Sequence, residues 1–137
     1  REGALLQSLA QHLGALKAKK VGDFEASSQC QSLMAQLAEA HTDRVLHEDM
    51  VRCGTDRVPY SVRGVWDKLT ALSALTAIYK DLGWFVSHEV MPAKYGRLVD
   101  GAVERLSAEL NTVAMDIVQS FGIPDSCLPA DPLLIEF

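Results

Sequence analysis

Apolar residues return every three to four positions along most of the chain, which is the spacing of one face of an α-helix. The first such stretch runs from about Ala4 to Lys19, with Leu5, Leu6, Leu9, Leu13 and Leu16 on one face. Val21-Gly22 breaks it. Asp23 is a candidate N-cap for the next helix, because its carboxylate can accept an unpaired backbone N–H of the first turn. The second stretch spans about Phe24 to Arg52, with a stripe of Cys30, Leu33, Leu37, His41 and Val45 beside Met34 and Ala38. Gly54 reads as its stop, since glycine takes the left-handed conformation of a helix end at little cost. Thr55 to Pro59 then reads as a polar connection.

Ser61 is a candidate cap for a third helix over about Val62 to Val86. Val62, Val65, Trp66, Leu69, Leu72, Ile78, Tyr79 and Leu82 make it apolar on more than one side. Such a helix sits centrally or at an interface. Pro92 suits the opening of a fourth helix, where its missing N–H costs nothing. In that helix Val99, Val103, Leu106, Leu110, Val113 and Ile117 alternate steps of four and three, a seam for packing at a shallow angle. Phe121 extends the seam, and Gly122 and Pro124 end it. The following segment contains Pro129 and Pro132 and reads as extended, while Leu133, Leu134, Ile135 and Phe137 are too apolar for a free tail. The prediction is an all-α fold: an antiparallel bundle of about four helices with a docked, extended C-terminal tail, forming one domain over residues 1–137.

Composition narrows the partners. A chain of 137 residues suits one core. Its net charge of -5 is mild acidity and points away from a polyanionic partner. Lys17, Lys19 and Lys20 form a short basic run, placed where it complements the dipole of a helix C-terminus rather than nucleic acid. Cys30, Cys53 and Cys127 are far apart, with no CxxC pair, and read as free thiols in a reducing compartment. Arg52 and Arg57 flank Cys53 and would favour its thiolate, although a structural thiol is the stronger reading. No apolar run approaches the roughly 20 residues of a membrane-spanning helix. The start, Arg1-Glu2-Gly3-Ala4-Leu5, has neither a signal-peptide layout nor an initiator methionine, so the chain reads as non-secreted and as a piece of a longer one. Leu134-Ile135-Glu136-Phe137 is not a peroxisomal address of the SKL type.

Catalytic patterns are weak. His12, His41, His47 and His88 lack the Glu-x-x-His spacing of a di-iron bundle, and no HExxH occurs. His41, on an apolar stripe, reads as a core histidine with a satisfied hydrogen bond. His47, Glu48 and Asp49 are consecutive and point in different directions on a helix, as a solvated face does. Ser27, Ser28 and Ser32 have no base placed to activate them, and no glycine-rich phosphate cradle or nucleophile elbow is present. Trp66, Tyr79, Trp84 and Phe85 could suggest a flat-ring pocket, but at helical spacing they read first as core. No catalytic residue and no metal ligand is assigned.

Two blocks carry a resemblance. Leu72-Ser73-Ala74-Leu75-Thr76-Ala77-Ile78-Tyr79-Lys80-Asp81-Leu82-Gly83-Trp84-Phe85 is similar to the Leu/Tyr-rich helix and Gly-[Asp/Trp]-Phe turn of the acyl-CoA oxidase family. Glu109-Leu110-Asn111 through Phe121-Gly122-Ile123-Pro124-Asp125 resembles that family's E-L-R-P-N-A-x-A-L-V-D-A-F-x-x-x-D signature, with Asn111-Thr112-Val113 in place of Arg-Pro-Asn and Gln119-Ser120 in place of Asp-Ala. Ala40-His41 to Met50-Val51 is a weaker match to the preceding family helix. The resemblance implies the C-terminal helical domain of an FAD-dependent enzyme. That enzyme oxidises acyl-CoA to trans-2-enoyl-CoA, passes the electrons to oxygen and yields hydrogen peroxide. The implied catalytic glutamate belongs to an earlier segment, so no catalytic or FAD-binding residue is carried over. The implied partners are the remaining domains of the same enzyme, a second subunit in a homodimer and the acyl-CoA substrate. The implied location is the peroxisome in a eukaryote and the cytoplasm otherwise. Trp66, Tyr79, Trp84, Phe85, Leu133, Leu134, Ile135 and Phe137 are the candidate interface residues. The competing readings are a stand-alone helical interaction module and a small-ligand bundle with an apolar cavity.

Overall fold

Leu5, Leu9 and Leu16 need a partner surface, and the second helix provides it. The computed structural model describes residues 1–124. Within them it has α1 (Glu2–Ala18), α2 (Asp23–Asp56), α3 (Tyr60–Lys80), α4 (Leu82–Ser87), a 3-10 turn (Ala93–Tyr95), α5 (Gly96–Asn111) and α6 (Ala114–Ser120). No strand occurs among the described residues, so the all-α expectation holds. The expected docked tail, with Leu133, Leu134, Ile135 and Phe137, lies outside the described residues.

The long helices pack in series: α1 on α2, α2 on α3, and α3 on α5. Cross-contacts show that each pair is antiparallel. Glu2 reaches His41 and Arg44, Lys80 reaches Glu39 while Trp66 reaches Met50, and Lys68 reaches Glu109 while Leu82 meets Gly96. The first half of α2 carries α1. Here Leu9, Leu16, Ala26 and Cys30 form the core, with Leu13, Val21, Leu33 and Leu37 packed around it. Cys30 is 0% exposed. The second half of α2 carries α3. The predicted seam of the fourth helix also holds: Val99 and Leu110 are buried, and Val103, Leu106, Val113 and Ile117 are half-buried.

Helix ends follow backbone hydrogen bonding more than side-chain type. At the end of α1, Lys20 has φ 56°, and the Val21 N–H donates to the Leu16 carbonyl at 3.2 Å. This is the six-residue Schellman closure, accompanied by packing of Val21 against the core that contains Leu16. The left-handed residue is therefore Lys20 and not Gly22. Gly122, at φ 60°, does occupy the left-handed position after α6.

Several expected boundaries are corrected. The residue capping α2 is Gly22, and Asp23 is already helical with no side-chain cap bond. Pro59, not Ser61, precedes α3. Gly54 does not stop α2. It lies inside the helix, buried, because an indole occupies the space where a side chain would be. The expected third helix breaks at Asp81, whose φ of -111° and ψ of 23° leave the helical region. The expected fourth helix begins as a 3-10 turn after Pro92 and breaks again at Val113, with φ -122°. His41 is exposed rather than a core histidine. The buried positions of α2 run Ala26, Cys30, Ala40 and Gly54. With half-buried Leu33 and Leu37 between Cys30 and Ala40, that line advances by three and four, whereas the successive steps of four to His41 and Val45 carry it outward.

Candidate functional site

Two clefts flank α3, and they differ in chemistry. The first, about 310 Å³, lies between α2 and α3 and includes His47, Arg63, Trp66, Asp67 and Thr70 in its lining. Its polar groups are mostly committed to holding helices. The Trp66 indole N–H donates to the Met50 carbonyl at 2.8 Å. Arg63 donates to the Thr55 and Val58 carbonyls, each at 3.1 Å, and so closes the C-terminal end of α2. Thr70 is buried, and its hydroxyl makes no hydrogen bond within the protein.

The second cleft is an apolar groove of about 440 Å³ between the start of α3 and α6. Val58, Val62, Val65 and Leu69 form one wall, and Val113, Ile117 and Phe121, with Asp116 and Ser120 between them, the other. The break at Val113 creates it, by letting α6 leave the axis of α5. Thr112 supports the break: its hydroxyl donates to the Glu109 carbonyl at 2.9 Å, a side-chain bond that competes with helix continuation. On its other side α6 presents Met115 and Val118 to solvent, 68% and 58% exposed. An apolar helix side without a partner was not foreseen from the sequence, where only Val113, Ile117 and Phe121 were assigned to the seam. The signal was there in the three-residue step from Met115 to Val118.

A charged cluster marks the place where α1 begins and α3 ends. Arg1 pairs with Asp81, and lies 3.7 Å from both Glu39 and Asp43. Glu2 accepts from Arg44 and contacts His41 Nδ1 at 2.8 Å, while Arg44 also pairs with Glu48 at 2.8 Å. The Arg44 hydrogen bond, helped by His41, pulls the Glu2 carboxyl down to about 2. Lys80 lowers Glu39 through a 2.8 Å hydrogen bond, and Glu39 in turn raises Lys80. Lys68 likewise lowers Glu109. Carboxylates held as ions in this way are poor proton carriers near neutrality, where a general acid or base needs a matched pKa. Their role is to join helices.

The interface candidates separate. Trp66 is half-buried and tied to α2. Tyr79 is exposed. Trp84 and Phe85 are half-buried on α4, edge to face at 5.4 Å, and Trp84 also stacks on His88 at 4.2 Å. Leu133, Leu134, Ile135 and Phe137 lie outside the described residues.

A flavin dinucleotide needs backbone that can approach its phosphates closely, usually at a glycine facing an open cradle. Two of the glycines are closed to such an approach. Gly54 is filled by Trp66 and Gly96 by Leu82, while Gly3, Gly14, Gly22, Gly64, Gly83, Gly101 and Gly122 have no neighbouring group within 4 Å of a Cβ position. Among the described residues no cluster of three or more His, Cys, Asp or Glu could hold a metal ion. No described helix is long and apolar enough to cross a membrane.

Comparison with known proteins agrees with the two blocks and extends them. The family model described as acyl-CoA oxidase matches residues 3–130. The chain is 26% identical over 125 residues to "Acyl-coenzyme A oxidase 2, peroxisomal" of Arabidopsis thaliana, covering 91% of this chain and 18% of that protein. It is 23% identical over 125 residues to "Acyl-coenzyme A oxidase-like protein" of Mus musculus, covering 90% of this chain and 20% of that one. The chain thus spans about a fifth of the length of these relatives. No solved structure gives a significant match.

Proposed function

Because this chain belongs to the acyl-CoA oxidase family, we propose that it is the C-terminal helical domain of an FAD-dependent acyl-CoA oxidase and that it supports the enzyme's dimer. The intact enzyme would convert acyl-CoA to trans-2-enoyl-CoA. The two electrons and two protons removed would pass through the flavin to oxygen as hydrogen peroxide. A peroxisomal location belongs to the same reading, on the strength of the plant relative's name.

Within such an enzyme the domain is a packing layer and supplies no group to the reaction. Gly54 and Gly96 are filled by Trp66 and Leu82, and the acidic residues with lowered pKa are committed to ion pairs. The observation that carries the reading is α6, which turns Ile117 toward α3 beside Asp116 and Ser120 and leaves Met115 and Val118 exposed on its outer side. Large apolar side chains left side by side on the outer face of a helix suit burial against a further layer. Tyr79, Trp84 and Phe85 add an aromatic group of the kind enriched in interface cores.

Two measurements test this. The 137-residue chain supplied with FAD and acyl-CoA should release no peroxide, and turnover above a heat-killed control would overturn the packing role. In the intact enzyme, Met115→Asp with Val118→Asp should weaken the dimer in sedimentation without unfolding the helices. An unchanged dimer would move the interface elsewhere and favour a stand-alone interaction module.

A further inference from the structure

The seam that α5 lays against α3 runs on in the sequence after α5 has ended in the structure. From Val103 onward, Leu106, Leu110, Val113, Ile117 and Phe121 keep helical steps of three and four straight through the break. The chain nevertheless leaves the helix at Val113 and opens a groove of about 440 Å³ between α6 and α3. We propose that α6 is a hinged flap: it joins α5 as one continuous helix and closes the groove by packing Val113, Ile117 and Phe121 on Val65, Val62 and Val58. The inference stands apart from the enzymatic reading.

Three observations support it. The first is register. α3 and α5 are antiparallel, with Lys68 paired to Glu109 at 2.9 Å and Leu82 against Gly96. Each residue forward on α5 therefore meets one residue back on α3. Continued as a helix past Glu109, α5 would bring Val113 to the level of Val65, Ile117 to that of Val62 and Phe121 to that of Val58. All six side chains already line the groove, so closure needs no new partner.

The second is that little holds the break. No glycine or proline lies between Ala102 and Phe121. Val113 departs from the helix with φ -122° and ψ 14°, whereas Thr112 just before it keeps φ -65° and ψ -23°. The Thr112 hydroxyl favours the break through its bond to the Glu109 carbonyl. No side chain caps α6, so the N–H groups of its first turn are left to water. In a continuous helix those of Ala114, Met115 and Asp116 would donate to the carbonyls of Leu110, Asn111 and Thr112.

The third is the polar pair in the groove. Asp116 and Ser120 line it beside Ile117. On a continuous helix both lie to one side of the Val113–Ile117–Phe121 line, Asp116 by roughly a quarter turn. The non-helical Val113 accounts for their place, because it turns α6 about its own axis. It also leaves Ile117 half-buried and Phe121 69% exposed. Closure returns Asp116 and Ser120 to the rim and buries the two apolar side chains.

Trp66 reports closure, because it lines the groove from α3. The test uses the 137-residue chain carrying Trp84→Phe, which leaves Trp66 as the single tryptophan. Asn111→Ala with Thr112→Ala, at two exposed positions, favours the continuous helix without touching the core. Ala114→Pro holds the break, since proline suits the first position of α6 and not a helix interior. The double-alanine variant should gain helical ellipticity and reduce acrylamide quenching of Trp66. Amide exchange at its Met115 and Asp116 should slow by roughly tenfold or more. The proline variant should keep the parent's ellipticity and quenching. Unchanged exchange in the double-alanine variant would overturn the hinge. Slower exchange with unchanged quenching would overturn the closure. Loss of helix and of stability in Ala114→Pro would overturn both, because residue 114 would then lie inside an unbroken helix.

Discussion

Replacing Gly54 by alanine sets two known effects against each other. Alanine is the better helix former, and in a helix interior the change gains about 1 kcal/mol. Packing opposes it. A Cβ at position 54 would stand 2.8 Å from Trp66 Cδ1 and 2.9 Å from Nε1, against an ordinary carbon contact of about 3.5–4.0 Å. Trp66 cannot retreat freely, because its indole N–H is bonded to Met50 of the same helix at 2.8 Å. Either α2 and α3 part locally or that bond is lost, which costs about 1 kcal/mol net. Overpacking of this kind typically costs about 1–3 kcal/mol. With both losses weighed against the helix gain, Gly54→Ala should destabilise by about 1–3 kcal/mol. Gly64→Ala and Gly101→Ala are the controls. Both glycines are helical and exposed with open space around them, so each alanine should stabilise by about 0.5–1 kcal/mol. Urea denaturation followed by circular dichroism measures all three. If Gly54→Ala gains stability as the controls do, the close approach of the two helices is refuted.

Leu110→Ala removes a side chain only 6% exposed in the last turn of α5, and should cost about 2–5 kcal/mol in equilibrium denaturation. Lys20→Gly relieves a left-handed backbone at a non-glycine residue, so the thermal midpoint should rise by an amount equivalent to about 1 kcal/mol. The Glu2 carboxyl is lowered in the folded chain from 4.5 to about 2, so the unfolded chain binds its proton first. Its contribution is therefore fully present above pH 4.5 and is lost as pH falls through about 2. The stability difference between wild type and Glu2→Gln, followed by chemical denaturation at a series of pH values, should shrink over that window and be constant above it.

What could be read in the sequence was whatever repeated locally. The leucines of α1 and the alternating steps of α5 identify their own buried faces, and the structure buries Leu5, Leu9, Leu16, Val99 and Leu110. The breaks were hidden because their causes are distant or backbone-based. Asp81 leaves the helix where its carboxylate meets Arg1, a residue eighty positions earlier that nothing local announces. Gly54 carries two opposite meanings in a sequence: a helix stop, or a gap that admits a neighbour. Only the identity of the neighbour, Trp66, decides between them. The outward drift assigned to His41 and Val45 came from preferring larger apolar residues over Ala40, whose small side chain suits the tighter contact. The candidate groove was unreadable for the same reason, since it exists only because α5 ends at Asn111 and α6 turns back over α3.

The placement of α1 and α3 on successive halves of α2 is a lap joint. Beyond the unbroken backbone of α2, three ion pairs cross it: Glu2 with Arg44, Lys80 with Glu39, and Arg1 with Asp81. The first two pairs are open to solvent and fade as added ions screen them. Arg1 is largely enclosed and resists that screening. Ionic strength therefore acts on how tightly the halves are coupled, more than on the stability of either half. In concentrated salt the leucine core around Cys30 and the α3–α5 layer should begin to melt less cooperatively, still joined by the continuous α2 helix and the enclosed Arg1 pair.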